Sequence, residues 1–365
     1  MDVLQVSHND LSPFLSLCRT HAAALGRIGA AVTTVYLSGA GHGADDPHTV
    51  YLSRGPLEGG AWRAATELRR RFAERRFGLV LTHRYKAYTA VLLARRRLSA
   101  DRVVAMAHEY GFLARRRRRW VRRWFAADVE LAGVSHAVAD DLCRHDPLRA
   151  NALVLHNVVD VAAHDSHAMS RADARARLAI GIDELAVGVV GRLNRKKRPD
   201  VALRVFADAA GRLPFSLHFL GTGEERASVD ALALERGVSG RVVMHGFVPD
   251  AAQLMAAFDV LLFAAPREAF GMVLVEALLA GVPVLAADSP GAREVLGPLG
   301  QFFPVGDPGS ASEELARLLE IPATELARWR GEARERIMRL FSVDALAASY
   351  RLLLGRDGTG PGAVF

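Results

Sequence analysis

Short, predominantly apolar runs recur along the chain at residues 3–7, 32–37, 79–82, 103–107, 131–135 and 153–155, most of them separated by stretches of helical length. A second series follows at 186–190, 216–220, 242–245, 260–264, 284–287 and 302–305. Continuous apolar runs, unlike alternating ones, suit parallel strands covered on both faces. Strand and helix alternating in this way, twice over, predict an α/β protein of two Rossmann-like, doubly wound parallel-sheet domains. The polar, alanine-rich stretch 159–183 separates the two series, which gives domains over 1–165 and 166–340. An amphipathic helix is expected at about 341–356, and the Gly-rich residues 357–365 read as a frayed tail.

The 365 residues suffice for two cores, and half of them are apolar. No apolar run approaches the roughly 18 residues of a membrane span, and the start, Met-Asp-Val-Leu-Gln-Val-Ser-His, has no basic leader region. With only Cys18 and Cys143, a disulfide framework and a cysteine-based zinc site are excluded. A cytoplasmic protein is expected, soluble or peripheral at the inner face of the plasma membrane. The formal charge is +7, yet of 47 basic residues only Lys86, Lys196 and Lys197 are lysine. Where a generic cation would be arginine, the pair Lys196-Lys197 asks for an explanation.

Chemistry concentrates in the second half. Residues 266–281 read Pro-Arg-Glu-Ala-Phe-Gly-Met-Val-Leu-Val-Glu-Ala-Leu-Leu-Ala-Gly, which puts Glu276 inside an otherwise apolar helix, eight residues after Glu268 in a loop beyond a strand end. A carboxylate in such a helix needs hydrogen-bond donors, and ligand hydroxyls would serve. Gly271 opens the helix, whose first free N–H groups would face a phosphate. Hydroxyls and phosphate together describe a sugar nucleotide. The first strand of this half ends in Gly191-Arg-Leu-Asn-Arg-Lys-Lys-Arg-Pro199, where Arg192 and Lys197 would meet charge developing on a leaving diphosphate. Leu220-Gly-Thr-Gly-Glu224, with Gly221 and Gly223, and His245-Gly-Phe-Val-Pro249 follow the next two strands.

The block 266–281, with its flanking strands and Ser289-Pro-Gly-Ala-Arg-Glu294, resembles the glutamate-x7-glutamate motif of retaining GT-B glycosyltransferases of the family 4 type. The resemblance implies the GT-B fold, in which the two domains face each other across a ligand-binding cleft and the terminal helix packs back on the first domain. Asn157-Val-Val-Asp160 resembles the turn that ends that domain. By the same resemblance Glu268 positions the donor sugar and Glu276 the ribose. Arg192 and Lys197 hold the diphosphate, together with Gly191, Gly221 and Gly223 and with Phe270, Gly271, Met272 and Val273 at the helix start. Phe247 and Val248 meet the base. His108 lies near the reacting sugar, and His83 and Tyr85 lie on the acceptor side. The implied reaction is same-face attack by an acceptor hydroxyl, with the leaving phosphate as base.

The implied activity is transfer from a nucleotide-diphosphate sugar to a cell-envelope glycan or lipid-linked acceptor, of lipopolysaccharide or exopolysaccharide type. The chain has no Asp-x-Asp pair, so a metal-independent enzyme without cofactor is expected. A nucleotide-sugar epimerase on the same fold and a non-enzymatic peripheral membrane protein are the alternatives. The chain departs from the paired glycines that many relatives carry after the first strand, having Ser7-His-Asn-Asp-Leu-Ser-Pro-Phe14 instead, and this leaves the acceptor side unassigned.

Arg115, Arg116, Arg117, Arg118 and Arg119 precede Trp120-Val-Arg-Arg-Trp-Phe125. On a helix Trp120, Trp124 and their apolar neighbours share one face. That face can lie on an anionic membrane surface or pack on the sheet. Nothing resembles a module that reads bases, so no nucleic-acid partner is expected.

Overall fold

The computed structural model describes residues 1–11, 13–55, 59–211, 213–304 and 307–355. Two compact units are present: Met1–Val158 together with the chain from Leu340, and Val159–Arg339. The expected tail at 357–365 and Val305, at the end of the last expected strand, lie outside the described residues.

The first unit carries a parallel sheet of β1 (Asp2–Ser7), β2 (Ala31–Tyr36), β3 (Thr49–Tyr51), β4 (Arg76–His83), β5 (Ser99–Ala107), β6 (Glu130–Gly133) and β7 (Leu153–Val154), ordered β3-β2-β1-β4-β5-β6-β7. The second carries β8 (Leu185–Val190), β9 (Phe215–Leu220), β10 (Val242–Gly246), β11 (Val260–Phe263), β12 (Val284–Ala287) and β13 (Gln301–Phe303), ordered β10-β9-β8-β11-β12-β13. Both are doubly wound Rossmann-like sheets. The winding reverses between β1 and β4, and again between β8 and β11. At each reversal the connections leave in opposite directions and open a crevice at the carboxyl ends of the strands.

The central strands are the most buried: Leu79, Val80 and Leu81 of β4 have no exposed surface, and β9 is buried along its whole length, Ser216 and His218 included. The three-residue edge strand β3 lies outside the apolar runs and was not expected. It is held by pairing with β2 and by Tyr51, whose hydroxyl donates to Asp10 at 3.1 Å. Asp10 also accepts from the backbone N–H groups of Ala40, Gly41 and His42. A carboxylate in the loop after β1 thus organises the loop after β2.

The boundary between the units falls at Val158/Val159 and not after residue 165. The helix Val161–His167 starts under Asp160, which accepts from Ala163 N–H at 3.0 Å, and an ion pair of 2.5 Å between Asp165 and Arg334 ties it to the second unit. The terminal helix Val343–Leu354 packs on the helix Phe14–Gly26, where Tyr350 hydroxyl meets His21 Nδ1 at 2.6 Å.

Arg122 stands inside the segment read from sequence as a cationic face, but it is 1% exposed. It bonds both carboxylate oxygens of the buried Asp146 and the carbonyls of Ala126 and Val129. It is a cross-link of the first unit. Removing one member of a buried pair strands the other charge, at a cost of about 3–5 kcal/mol. Arg122→Met is therefore expected to lower unfolding stability by that amount in urea titration, and a loss below about 1 kcal/mol would contradict the cross-link.

Candidate functional site

The carboxyl ends of β8, β9 and β10 are laced together by backbone. Gly191 N–H donates to Leu220 carbonyl at 2.9 Å, Leu193 N–H to Thr222 carbonyl at 2.9 Å, and Gly221 N–H to Gly246 carbonyl at 2.7 Å. A Cβ at Gly221 would stand 1.8 Å from Gly191 oxygen, and one at Gly223 would stand 2.1 Å from Leu193 oxygen. The close approach that demands glycine here is therefore to the neighbouring loop. A rigid platform results, from which Arg192 projects, exposed and without an ion pair among the described residues.

Lys197 lies at the end of the same loop. Its N–H donates to Asn194 Oδ1 at 3.1 Å, and Pro199 follows as the first residue of the next helix. The Lys197 ammonium meets Glu268 carboxylate at 2.5 Å and sits 5.2 Å from the centre of the Phe263 ring. The end of β8 and the loop after β11 are thus joined across the reversal point by an ion pair, both partners of which are partly open to solvent. The sequence reading gave these two residues separate duties and did not foresee their contact. Gly291 supports the Glu268 loop: a Cβ there would lie 2.3 Å from Glu268 oxygen.

Gly271, at φ +91°, turns the chain into the helix Met272–Leu279. Leu274, Val275, Ala277, Leu278 and Leu279 are buried, whereas Met272, Val273 and Glu276 form the open face at i, i+3 and i+4 spacing. The Met272 and Val273 N–H groups, in the first turn, have no intrahelical carbonyl to bond. Glu276 has no hydrogen-bond partner among the described residues. Its residue keeps some contact with solvent, yet burial pushes the carboxyl pKa up to about 7. A deep carboxylate that water reaches and no protein donor satisfies is suited to receive hydroxyl groups from a ligand.

Beyond β10, His245 stacks on His218 with Nδ1 to Nε2 at 3.0 Å, Phe247 is 76% exposed, and Val248 is half-buried. Phe270 is buried beside Gly271.

At the matching edge of the first unit, His83 ends β4 and His108 follows β5, with His83 Nδ1 and His108 Nε2 at 3.0 Å. Gln5, which the sequence reading did not single out, sets their protonation. Its Nε2 donates to Cys18 carbonyl and Thr34 hydroxyl, so its Oε1 faces His83 Nε2 at 3.1 Å. His83 Nε2 must then carry the proton, Nδ1 must accept from His108 Nε2–H, and His108 Nδ1 is left as a lone pair. Among the described residues that atom is buried without a hydrogen bond, although the Asn157 side chain acts on the ring. Burial lowers the pKa of His108 to about 3, so it works as a neutral ring. Tyr85 is not at a strand end but in the first turn of the helix Arg84–Ala94, under the guanidinium of Arg118 at 4.1 Å.

The helix Arg116–Phe125 leaves Trp120, Trp124 and Phe125 more than half exposed. Its aromatic face therefore does not pack on the sheet, and of the two readings left open by the sequence this removes the second.

Comparison with known proteins covers most of the chain in two parts. Residues 16–163 match the family model Glycosyltransferase Family 4, and residues 170–336 match Glycosyl transferases group 1. The chain is 34% identical over 182 residues to a 2-deoxystreptamine glucosyltransferase of Streptomyces kanamyceticus, over 47% of this chain and 46% of that protein. It is 35% identical over 202 residues to a D-inositol 3-phosphate glycosyltransferase of Mycobacterium bovis, over 51% of this chain and 41% of that protein. The chain thus spans less than half the length of these relatives. Among solved structures, a glycosyltransferase from Rickettsia africae superposes with a TM-score of 0.81 at 14% identity, over 97% of each chain. Anabaena HepE in complex with UDP superposes with a TM-score of 0.76 at 21% identity, over 97% of this chain and 100% of that one.

The raised pKa of Glu276 has a consequence for stability. The folded value, about 7, lies above the ordinary 4.5, so the native state holds this proton more tightly than the unfolded chain does. The stabilisation is complete below pH 4.5 and is lost as pH rises through about 7, a swing of order 3 kcal/mol. Glu276→Gln removes it. Urea titrations at pH 5 and pH 8 are expected to show the variant gaining on the parent as pH rises, and an unchanged difference would place the carboxyl in water.

Proposed function

The chain belongs to the GT-B glycosyltransferases of the family 4 type, and on that premise we propose that it transfers a sugar from a nucleotide-diphosphate sugar to a hydroxyl-bearing acceptor with retention at the anomeric carbon. The observation that carries this reading is that the Lys197–Glu268 pair and Glu276, which has no hydrogen-bond partner among the described residues, all lie on segments that follow β8 and β11 at the reversal point of the second unit. Glu276 accepts from the ribose hydroxyls. The diphosphate lies against the first N–H groups of the helix Met272–Leu279, with Lys197 and Arg192 as counter-charges. These cations take the place a divalent metal would otherwise fill. Glu268, already held by Lys197, receives the sugar hydroxyls.

In the reaction the bond from the anomeric carbon to the diphosphate oxygen breaks as the acceptor oxygen bonds to the same face. The acceptor's proton passes to the departing phosphate oxygen. Charge grows on the diphosphate as the bond breaks, so Lys197 and Arg192 stabilise the transition state more than the bound donor. The HepE structure is a complex with UDP, which supports a uridine donor as the first to test. The relatives' names speak of 2-deoxystreptamine and D-inositol 3-phosphate. The acceptor proposed here is a cell-envelope glycan or lipid-linked sugar, on the strength of the exposed aromatic and arginine-rich helix Arg116–Phe125. An epimerase would convert the donor without any acceptor, and incubation with donor alone separates the two activities.

Lys197→Ala and Arg192→Ala are each expected to lower kcat/KM by about tenfold to a thousandfold, the range seen on removing one charge-stabilising donor. Parental rates in a folded variant would overturn the diphosphate assignment. In calorimetry with UDP, the parent should bind more weakly as pH falls through about 7, because a protonated Glu276 cannot accept both ribose hydroxyls, and Glu276→Gln should be weak at every pH.

No helix among the described residues is long and apolar enough to cross a membrane, so contact with a bilayer would be peripheral. Exposed Trp120 and Trp124 with the arginines before them suit an anionic surface, where each engaged cation contributes up to about 1 kcal/mol, screened by salt. Sedimentation with phosphatidylglycerol vesicles but not with phosphatidylcholine vesicles is expected, abolished by Trp120→Ser with Trp124→Ser. Equal binding to both vesicle types would exclude the charged surface.

A further inference from the structure

The first unit contains a cavity of about 270 Å³ lined by Tyr85, Arg115, Arg117 and Arg118. Its electrostatics run against what a helix start prefers. The helix Arg116–Phe125 has arginine at each of its first four positions and at the residue before it, no acid in its first turn, and no side-chain cap. A helix N-terminus already carries about half a positive charge, and like charges four apart repel. Two N–H groups at this end, those of Arg116 and Arg117, have no intrahelical partner, since the first bonds run from Arg118 and Arg119 to Arg115 carbonyl.

Some arginines of the same unit are paired with acids, as in Arg95–Asp128, Arg102–Glu130 and Arg122–Asp146. Arg115 and Arg117 have no such partner among the described residues. Arg118 is fixed in place by the carbonyls of Gly111 and Phe112, at 3.3 Å and 3.0 Å, and by the Tyr85 ring beneath it. Burial raises the pKa of the Tyr85 hydroxyl, which keeps it protonated and able to donate. The charged side chains that line this cavity are all cations.

We propose that this cavity is a phosphate-binding pocket that takes a phosphate monoester or diphosphate carried by the acceptor. The assignment of that group to the acceptor rests on the transferase reading above, but the pocket itself does not. Three guanidiniums exceed what one carboxylate neutralises, and their planar forks match the paired oxygens of a phosphate. The volume equals that of roughly nine waters at about 30 Å³ each, ample for a phosphoryl group. The phosphate could belong to a soluble acceptor or to a lipid headgroup.

The test uses the full chain saturated with UDP, so that the second unit's diphosphate site is filled, and titrates inorganic phosphate by calorimetry at low salt. Binding is expected, weakened at least tenfold in Arg115→Ser with Arg117→Ser and severalfold in Tyr85→Phe, with UDP affinity unchanged in both. Phosphate should raise the melting temperature of the parent and not that of the double variant. The double variant alone should melt no lower than the parent, because two repelling charges are gone. Absence of phosphate binding, or equal binding by parent and double variant, would overturn the pocket. A failure of UDP to bind in the first step would sink the donor reading and leave the phosphate titration interpretable. Given phosphate binding, a preference for phosphatidic acid over phosphatidylglycerol vesicles assigns the group to a lipid headgroup, and equal affinity for the two assigns it to a soluble acceptor.

Discussion

A parallel sheet releases all its strand ends on one edge, and only where the order of winding reverses do neighbouring connections part. In the second unit that constraint lies between β8 and β11 and governs the site. It brings Lys197, from the loop after β8, to Glu268, from the loop after β11, although 71 residues separate them. The loops on the other side of β8 have no such freedom. They are bonded backbone to backbone so closely that Gly221 and Gly223 admit no side chain. One half of the site is thus a rigid floor, and the other is set on a helix whose apolar face is anchored in the core.

Charge within this frame is left incomplete at chosen points. Among the described residues Glu268 has its cation, but Glu276 has none and burial pushes its pKa up to about 7, and Arg192 stands without a counter-charge. A buried or half-buried polar group without a partner costs stability in the empty protein. The cost is offset when a ligand brings the missing partner, which makes such groups better indicators of binding than their neighbours. Unit one repeats the pattern with opposite sign, in a cavity whose charged lining is all arginine, at the start of an arginine-rich helix.

Arginine also shows how one residue type divides into two kinds of work. Arg122 and Arg175 are each 1% exposed and spend their donors on carbonyls and on Asp146 or Asp259. They cross-link loops that side-chain packing alone would leave loose. Arg115 and Arg117 are exposed and make no ion pair among the described residues. Residue identity does not separate these cases, and position along a run does not either, since Arg122 follows Arg119 by only three residues.

The sequence by itself determined the architecture, because strands buried on both faces must be largely apolar, and twelve of the thirteen strands overlap such a run. It failed at Thr49–Tyr51, whose three residues are held by an edge pairing and by Asp10, contacts that leave no periodicity to read. The Glu268–Glu276 block and the lone lysines were legible because a carboxylate in an apolar helix and a lysine among arginines are chemical exceptions within their own surroundings. Only tertiary structure decided that Lys197 pairs with Glu268, that Gln5 sets the proton of His83 and through it that of His108, that Arg122 is interior and Trp120 exterior, and that Tyr85 joins three arginines around one cavity. Each of these depends on which strand ends become neighbours and which side of a helix meets the sheet, and such distances are set by the folded chain as a whole, not by any segment of it.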